Sequence, residues 1–419
     1  MRNLPFSAGN YSRAVSFAAD IGCKLLSVGS PVNSVERAVS SVCIKFGAAK
    51  AYAFCVPDAA AVSATFEGRE YTSLKRAYYG GNDLFIQEKC TQIVSDVLSG
   101  TLSLEGAERR LASLDKTALP LKMQAFGGFL ACGAFAIFFG GNAADAVIAA
   151  IAGLATSVAS AVLSKRGAGG CARVFLLSAL SGLSAVSLCV LFQLIGLTCH
   201  ASIAIVGTLM TLIPGLTVCN ALSDIISGEM FSGVYRIFGG IAQTVCIVAG
   251  YALALAVSGG VSAFTVASPR ADILHTAICY ISGAAGASGF CLTMNARGKR
   301  LLCGVAAAII SYTAYVLTRA LDFSEFLCYF VAAAAAYASA ELPSRFAKIP
   351  QHIFVTPALM PLLPGASLYF AVNAIVCGDA GTAIACGNDA LVIFTAIASG
   401  LAAAQIAARI ILPKKHSLL

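Results

Sequence analysis

Two runs decide the reading of this chain: Leu209-Met210-Thr211-Leu212-Ile213-Pro214-Gly215 and Leu359-Met360-Pro361-Leu362-Leu363-Pro364-Gly365. Each sets Pro-Gly in the middle of a long apolar stretch, His200 to Ile226 and Pro350 to Val376. A straight helix crosses a bilayer in about 20 residues, so stretches of that length read as tilted or interrupted spans. The runs are also copies. An offset of 364 − 214 = 150 aligns 209–229 with 359–379 without a gap, and eight of the 21 positions are identical: Leu209/Leu359, Met210/Met360, Leu212/Leu362, Pro214/Pro364, Gly215/Gly365, Ala221/Ala371, Ile225/Ile375 and Gly228/Gly378. Thr217/Ser367 and Glu229/Asp379 are conservative pairs. The match reads as an internal duplication centred on the helix-breaking pair.

Proline inside a helix removes a backbone hydrogen bond and clashes with the preceding turn, at a cost of roughly 3 kcal/mol. In hydrocarbon, freed backbone groups are tolerated only where protein or a water-filled path satisfies them. Interrupted spans at corresponding positions of two halves therefore point to a transporter's binding site.

Composition agrees. The chain is 58% hydrophobic and 11% charged, with mean hydropathy +0.83, against about a quarter charged residues in soluble domains. The sixteen cysteines are scattered through apolar segments without a C-x-x-C. They read as small apolar residues, and no metal or cofactor is expected. No cleavable signal peptide is expected at the start, because the first hundred residues mix polar and apolar.

Residues 1–116 are nearly charge-balanced and hold no uninterrupted span. Helical spacing over Ala14 to Val28 and Val35 to Phe46, the latter capped by Asn33 or Ser34, precedes two strands, Ala51 to Val56 and Ala61 to Phe66. Pro57-Asp58 joins the strands, a turn at Glu67-Gly68 follows, and helices are expected over Asp83 to Leu98 and Leu104 to Leu114. This small α/β domain is expected in the cytosol. It has no His and no Gly-rich phosphate loop, and Asp58, Glu67 and Glu70 read as a solvated face, which weighs against the rival reading of a membrane-anchored hydrolase.

From Leu119 onward ten spans are expected: Leu121 to Phe139, Ala143 to Leu163, Val174 to Leu197, Ser202 to Ile226, Gly233 to Val257, Ile273 to Thr293, Leu301 to Leu317, Phe326 to Ala340, His352 to Val376 and Thr382 to Ala408. With the first domain in the cytosol, inside segments collect Lys116, Lys122, Lys165, Arg166, Arg173, Arg236, Arg297, Lys299, Arg300, Arg345, Lys348, Arg409, Lys414 and Lys415, and outside segments only Arg270 and Arg319. The positive-inside rule then puts both termini in the cytoplasm. It also assigns the net charge of +8 to topology and lipid contact rather than nucleic acid. The expected fold is thus an α-helical polytopic membrane protein. Residues 117–260 and 261–419 form two five-helix repeats, the second ending in a short basic tail. Because five is odd, the repeats are inverted, with Glu229 inside and Asp379 outside.

The chemistry is expected at the restarted helices. Their N-termini carry partial positive charge and free N–H groups suited to a carboxylate. Pro214, Gly215, Pro364 and Gly365 shape the site, Thr217 and Ser367 lie one turn in, and Asn220 and Asn373 one turn further. For both hydroxyls, back-bonding to the preceding turn is the competing reading. Proton coupling or gating candidates are Asp224, Glu229, Asp379 and Asp389, with Asp145 beside them. A charge at the bilayer centre costs about 2.5 to 3.5 kcal/mol, which makes Asp389 the most informative. His200, His275 and His352 fall at span ends, and the Gly283 to Gly289 run reads as a close-packing face.

Leu212-Ile213-Pro214-Gly215, Asn220-Ala221, Asp224-Ile225-Ile226-Ser227-Gly228-Glu229, Ser232-Gly233 and Arg236 together resemble the signature of the threonine/serine exporter family. Leu362-Leu363-Pro364-Gly365 is similar to the motif of that family's smaller half, and Leu25 to Gly29, Val35-Glu36-Arg37 and Phe46-Gly47 to its N-terminal domain. The chain departs from the pattern after Gly29, with Ser30-Pro31-Val32 where relatives carry an acidic residue and Thr. The resemblance covers essentially the whole chain, as a fusion of two halves. It implies an inner-membrane secondary exporter driven by proton motive force, with threonine, serine or, in two-subunit relatives, a dicarboxylate such as succinate as substrate. Expected partners are that substrate, protons and lipid. A channel is the second rival, and homo-oligomerisation is left open.

Overall fold

The computed structural model describes residues 8–78, 80–114, 120–166, 169–226, 228–257, 273–347 and 351–411. Lys116, Arg270, Lys348, Lys414 and Lys415, both domain boundaries and the basic tail lie outside the described residues.

The N-terminal part folds as α1 (Ala8–Ser27), α2 (Val32–Lys45), β1 (Lys50–Val56), β2 (Ala59–Phe66), β3 (Arg69–Arg76), α3 (Leu84–Ser99) and α4 (Leu104–Leu114). The strands form an antiparallel meander, with Val56 opposite Ala59 and Phe66 opposite Arg69. Glu67 and Gly68 make the second hairpin turn with φ of 50° and 78°, the left-handed pair that matches strand twist and that glycine adopts without strain. β3 is one strand more than expected. Its Arg69-Glu70-Tyr71-Thr72-Ser73-Leu74-Lys75-Arg76 alternates half-buried with exposed residues and buries none fully, so it carries almost no hydrophobic signal. α2 begins behind Pro31 rather than at Asn33 or Ser34, and the Asn33 amide is used elsewhere. Asp83 does cap α3, its Oδ1 accepting from the Phe85 and Ile86 amides at 3.0 and 2.9 Å. α1 and α2 cover one face of the sheet, where Cys55, Ala60, Val62, Ala64 and Phe66 are buried.

The rest is helical: α5 (Leu121–Phe138), α6 (Ala143–Lys165), α7 (Gly170–Leu194), α8 (Ala201–Leu209), α9 (Gly215–Ile226), α10 (Met230–Val257), α11 (Ile273–Thr293), α12 (Lys299–Ala320), α13 (Glu325–Ala347), α14 (His352–Leu359), a 3₁₀ turn (Met360–Leu362), α15 (Gly365–Val376) and α16 (Ala380–Ile411). Seven of the described helices are long and apolar enough to cross a membrane: α5, α6, α7, α10, α11, α12 and α16. The bent pair α14 and α15 makes an eighth if taken as one span. The two expected spans outside this count are α8 with α9, split into 9 and 12 residues, and α13, which carries Glu325, Glu341 and Pro343. Leu194, Phe238, Ile281, Leu302 and Ile384 stand exposed on this bundle, an apolar exterior that water would not tolerate and lipid does.

α5 is the bundle's spine. A Cβ on Gly127 would meet the Gly289 carbonyl of α11 at 2.9 Å, one on Gly128 the Gly153 carbonyl of α6 at 2.9 Å, and one on Gly207 of α8 the Cys132 carbonyl at 2.8 Å. Such approach lets backbones pack where hydrophobicity does not drive helices together. The Gly283 to Gly289 run serves packing as expected: a Cβ on Gly286 would strike the Phe135 ring at 2.8 Å.

The N-terminal domain is fastened to one end of this bundle. Leu84 N–H donates to the Met294 carbonyl at 2.9 Å, and the Asn295 amide donates to both Asp83 carboxylate oxygens at 3.0 Å. Arg300 pairs with the fully buried Glu88, and Arg297 lies 4.7 Å over the Phe85 ring. On the other flank Asn33 donates to Glu229 at 3.1 Å and Tyr235 to Asp58. Glu36, which accepts from the Cys55 amide at 2.7 Å, is held above the ordinary Glu value of 4.5 by burial and by the Glu229 charge. A carboxyl so raised binds its proton more tightly when folded, so its contribution is full below the ordinary value and is lost as pH rises through the raised one. The prediction is that Glu36→Gln, which keeps an oxygen for Cys55, flattens the fall in melting temperature of the detergent-solubilised chain between pH 4.5 and neutrality; matching wild-type and variant profiles would refute it.

Candidate functional site

Both interrupted helices restart at the glycine of Pro-Gly, Gly215 for α9 and Gly365 for α15. The first helical bonds run from Val218 N–H to the Pro214 carbonyl (3.1 Å) and from Leu368 N–H to the Pro364 carbonyl (3.0 Å), so the N–H groups ahead of them have no helical partner. The arms before and after Pro364 meet at 54°. At the first break the Thr208 carbonyl is taken up by the Thr211 hydroxyl (3.0 Å) and the Cys132 thiol (3.7 Å).

The two breaks sit in each other. A Cβ on Gly215 would meet Leu363 Cδ1 at 3.0 Å, and one on Gly365 would meet Met210 Sδ at 2.6 Å and Ile213 Cδ1 at 3.4 Å. The residue before each proline thus packs on the glycine after the other. Two helix N-termini converge there, each with the partial positive charge of a helix start.

Each restarted helix also ends alike. Gly228 and Gly378 take φ of 93° and 77°. Their N–H groups bond Ile225 and Ile375 carbonyls at 3.0 and 3.1 Å, and the next N–H groups, of Glu229 and Asp379, bond Asp224 and Ala374 carbonyls at 2.9 Å. This is the Schellman ending, which requires a left-handed residue and so accounts for the glycine identity in the duplication.

Thr217, Asn220, Ser367 and Asn373 are all half-buried, and none makes a side-chain hydrogen bond among the described residues. Elsewhere in the bundle Thr208, Ser282, Ser288, Thr293 and Thr318 return their hydroxyls to carbonyls three or four residues back. Thr217 and Ser367 do not, which removes the competing back-bonding reading for both.

The carboxylates divide by environment. Asp224 is buried on α9, where its Oδ2 accepts from the Ser232 hydroxyl at 3.0 Å and lies 3.1 Å from Arg236 Nε. Arg236 Nη2 in turn donates to the Ser30 carbonyl at 3.1 Å, and the Ser30 hydroxyl accepts from Gln87 at 2.8 Å. The α1–α2 turn is therefore tied to the first interrupted helix through Arg236. Below that turn Val28, Gly29, Pro31 and Gln87 face Asn220 of α9 and Thr356 of α14 across a cavity of about 20 Å³, room for about one water. Glu229 lies on the N-terminal domain through Asn33. Its counterpart Asp379 accepts from the Thr382 amide at 3.1 Å at the start of α16, and hydrogen bonding from the Thr382 side chain first and its amide second holds the Asp379 carboxyl below the ordinary range. Asp389 is on the exposed side of α16 beside Asn388, while Ala390 is buried. Asp145 is a capping residue: it and Asn142 exchange side-chain bonds at the start of α6, and it accepts from His200 N–H at 2.6 Å.

Sequence reasoning missed Gln87 and Thr356, weighed Ser30 only as part of a departure from the family pattern and Ser232 only as a motif residue, and weighed Arg236 only as topology charge and motif residue. The signal for Arg236 was faint: a lone basic residue eight positions past the glycine that turns α9 into α10. Asp58, Glu67 and Glu70, the carboxylates weighed for the hydrolase reading, bond separately to Tyr235, Tyr11 and Ser63.

Comparison with known proteins returns two matches to family models. Residues 16–258 match the threonine/serine exporter model ThrE, and residues 279–407 match the companion model ThrE_2, also described as a threonine/serine exporter. No curated protein and no solved structure gave a match. The first model alone spans more than half of the chain, and both halves are present in one polypeptide: this protein belongs to the threonine/serine exporter family, a family of membrane transporters rather than enzymes.

Proposed function

We propose that the chain is a proton-coupled antiporter that exports threonine and serine across the inner membrane, with both termini cytoplasmic. Its architecture in this reading is a cytosolic domain (1–116) and two inverted five-helix repeats (117–260 and 261–419), ten spans in all. The observation that carries the reading is the seating of Gly215 on Leu363 and of Gly365 on Met210 and Ile213. It is what a binding site built from two interrupted helices requires. α9 leads from the shared break to Glu229 at the N-terminal domain, and α15 leads from it to Asp379, which caps α16. Those opposite destinations support inverted halves.

In this scheme the substrate carboxylate rests on the N–H groups at the starts of α9 and α15, and the hydroxyls of Thr217 and Ser367 and the amides of Asn220 and Asn373 hold its ammonium and side-chain hydroxyl. Their lack of partners in the present state supports that assignment, because a half-buried polar group without a partner is costly unless a ligand or water supplies one. The present state is closed toward the cytosol: the α1–α2 turn covers Asn220 and Thr356, and Arg236 ties it to Asp224. A proton arriving from outside on Asp224 cancels the charge that holds Arg236. The turn lifts, substrate enters, and the proton leaves to the cytosol as the pair re-forms. Threonine and serine differ by one methyl, which an apolar wall such as Leu363 discriminates only weakly.

Three outcomes test this. In vesicles with an imposed pH gradient, threonine and serine accumulate uphill; strictly downhill flux makes the protein a channel, and uphill succinate in their place makes it a dicarboxylate exporter. Pro214→Ala and Pro364→Ala each restore a helical hydrogen bond and lower transport by about tenfold or more, while the melting temperature measured by calorimetry moves little; normal kinetics in both would remove the interrupted-helix site. Asp224→Asn flattens the pH dependence of transport. If Asp389→Asn flattens it instead, the proton travels along the exposed side of α16.

A further inference from the structure

We propose that Cys189 and Cys199 are oxidised to a disulfide at the end of the bundle remote from the N-terminal domain. Their sulfurs lie 2.7 Å apart, closer than unbonded sulfurs pack and well on the way to the ~2.05 Å of an S–S bond. The Cys199 thiol is also 3.3 Å from the Cys189 carbonyl.

The approach is imposed by the loop on either side. Before Cys199, the Asn142 amide donates to the Thr198 carbonyl at 2.8 Å; after it, Asp145 takes the His200 N–H at 2.6 Å and its ring Nδ1 at 3.0 Å. Asn142 and Asp145 begin α6, and Cys189 lies near the end of α7, so three helix ends converge on one sulfur pair. In the orientation given above, on which this inference rests, the Cys189–Cys199 pair faces the oxidising side of the membrane, where disulfides form and persist.

Cys199 is half-buried and Cys189 buried, so Cys199 is the entry thiol. Its thiolate attacks a donor disulfide, forming a mixed disulfide and releasing one donor thiol. The Cys189 thiolate then attacks the Cys199 sulfur and releases the second. Two electrons pass to the donor and the two cysteine protons end on its thiols. The bond closes the α7–α8 loop two residues ahead of α8, stapling the outer arm of the first interrupted span to α7 while the break at Pro214 stays free.

The test uses the full chain in sealed native vesicles opened under denaturant without reductant, with peptide mapping after maleimide. The expected result is that Cys189 and Cys199 take maleimide only after reduction, that Cys199→Ser frees Cys189 for labelling, and that reduction lowers the melting temperature of wild type but not of the C189S/C199S variant. Labelling of both thiols in unreduced wild type overturns the proposal. Membrane-impermeant reductant and maleimide added before opening separate it from orientation: a bond reached only from the cytoplasmic side upholds the disulfide and overturns the orientation.

Discussion

A proline that donates no hydrogen bond, followed by a glycine that starts a new helix, leaves two apolar segments with open backbone side by side, and the surrounding helices pack around that pair. Each break fills part of the other: Leu363 on Gly215, and Met210 with Ile213 on Gly365. A Cβ at either glycine would crowd the partner's side chains, Leu363 on one side and Met210 on the other. The two Pro-Gly breaks therefore pack directly on each other.

The second organising feature is electrostatic. Glu88 and Asp224 are buried carboxylates, each matched by one arginine, Arg300 and Arg236, at the boundary between the N-terminal domain and the bundle. Such pairs add little net stability over apolar packing, yet removing one partner strands a buried charge. They favour a domain that docks in one register and can undock as a unit. The Arg236 bridge from Asp224 to the Ser30 carbonyl ties the α1–α2 turn to the first interrupted helix.

Much of this was legible beforehand. Seven of the ten expected apolar segments coincide with helices long and apolar enough to cross a membrane, because length and hydropathy set where such a helix can form. The helix starts at Gly215 and Gly365 and the packing role of the Gly283 to Gly289 run are local rules written in local residues. β3 escaped because its inner face is only half-buried and carries Tyr71, Ser73 and Lys75, too little hydrophobic contrast with the exposed face to detect, and the start of α2 was misplaced because Pro31 fills the position that Asn33 was expected to hold.

What the sequence by itself determined is the class and the duplication: an apolar chain with two matched breaks 150 residues apart, in a family of exporters. These follow from the order of residues, since composition, spacing and motif survive in one dimension. Only the tertiary structure decided that the breaks touch, that Arg236 bridges Asp224 to the α1–α2 turn, that Asp379 and Asp145 cap helices, and that Cys199 comes to rest on Cys189. Each of these joins residues from different helices. Their meeting depends on crossing angles and backbone approach set by the whole bundle, which no window of sequence contains.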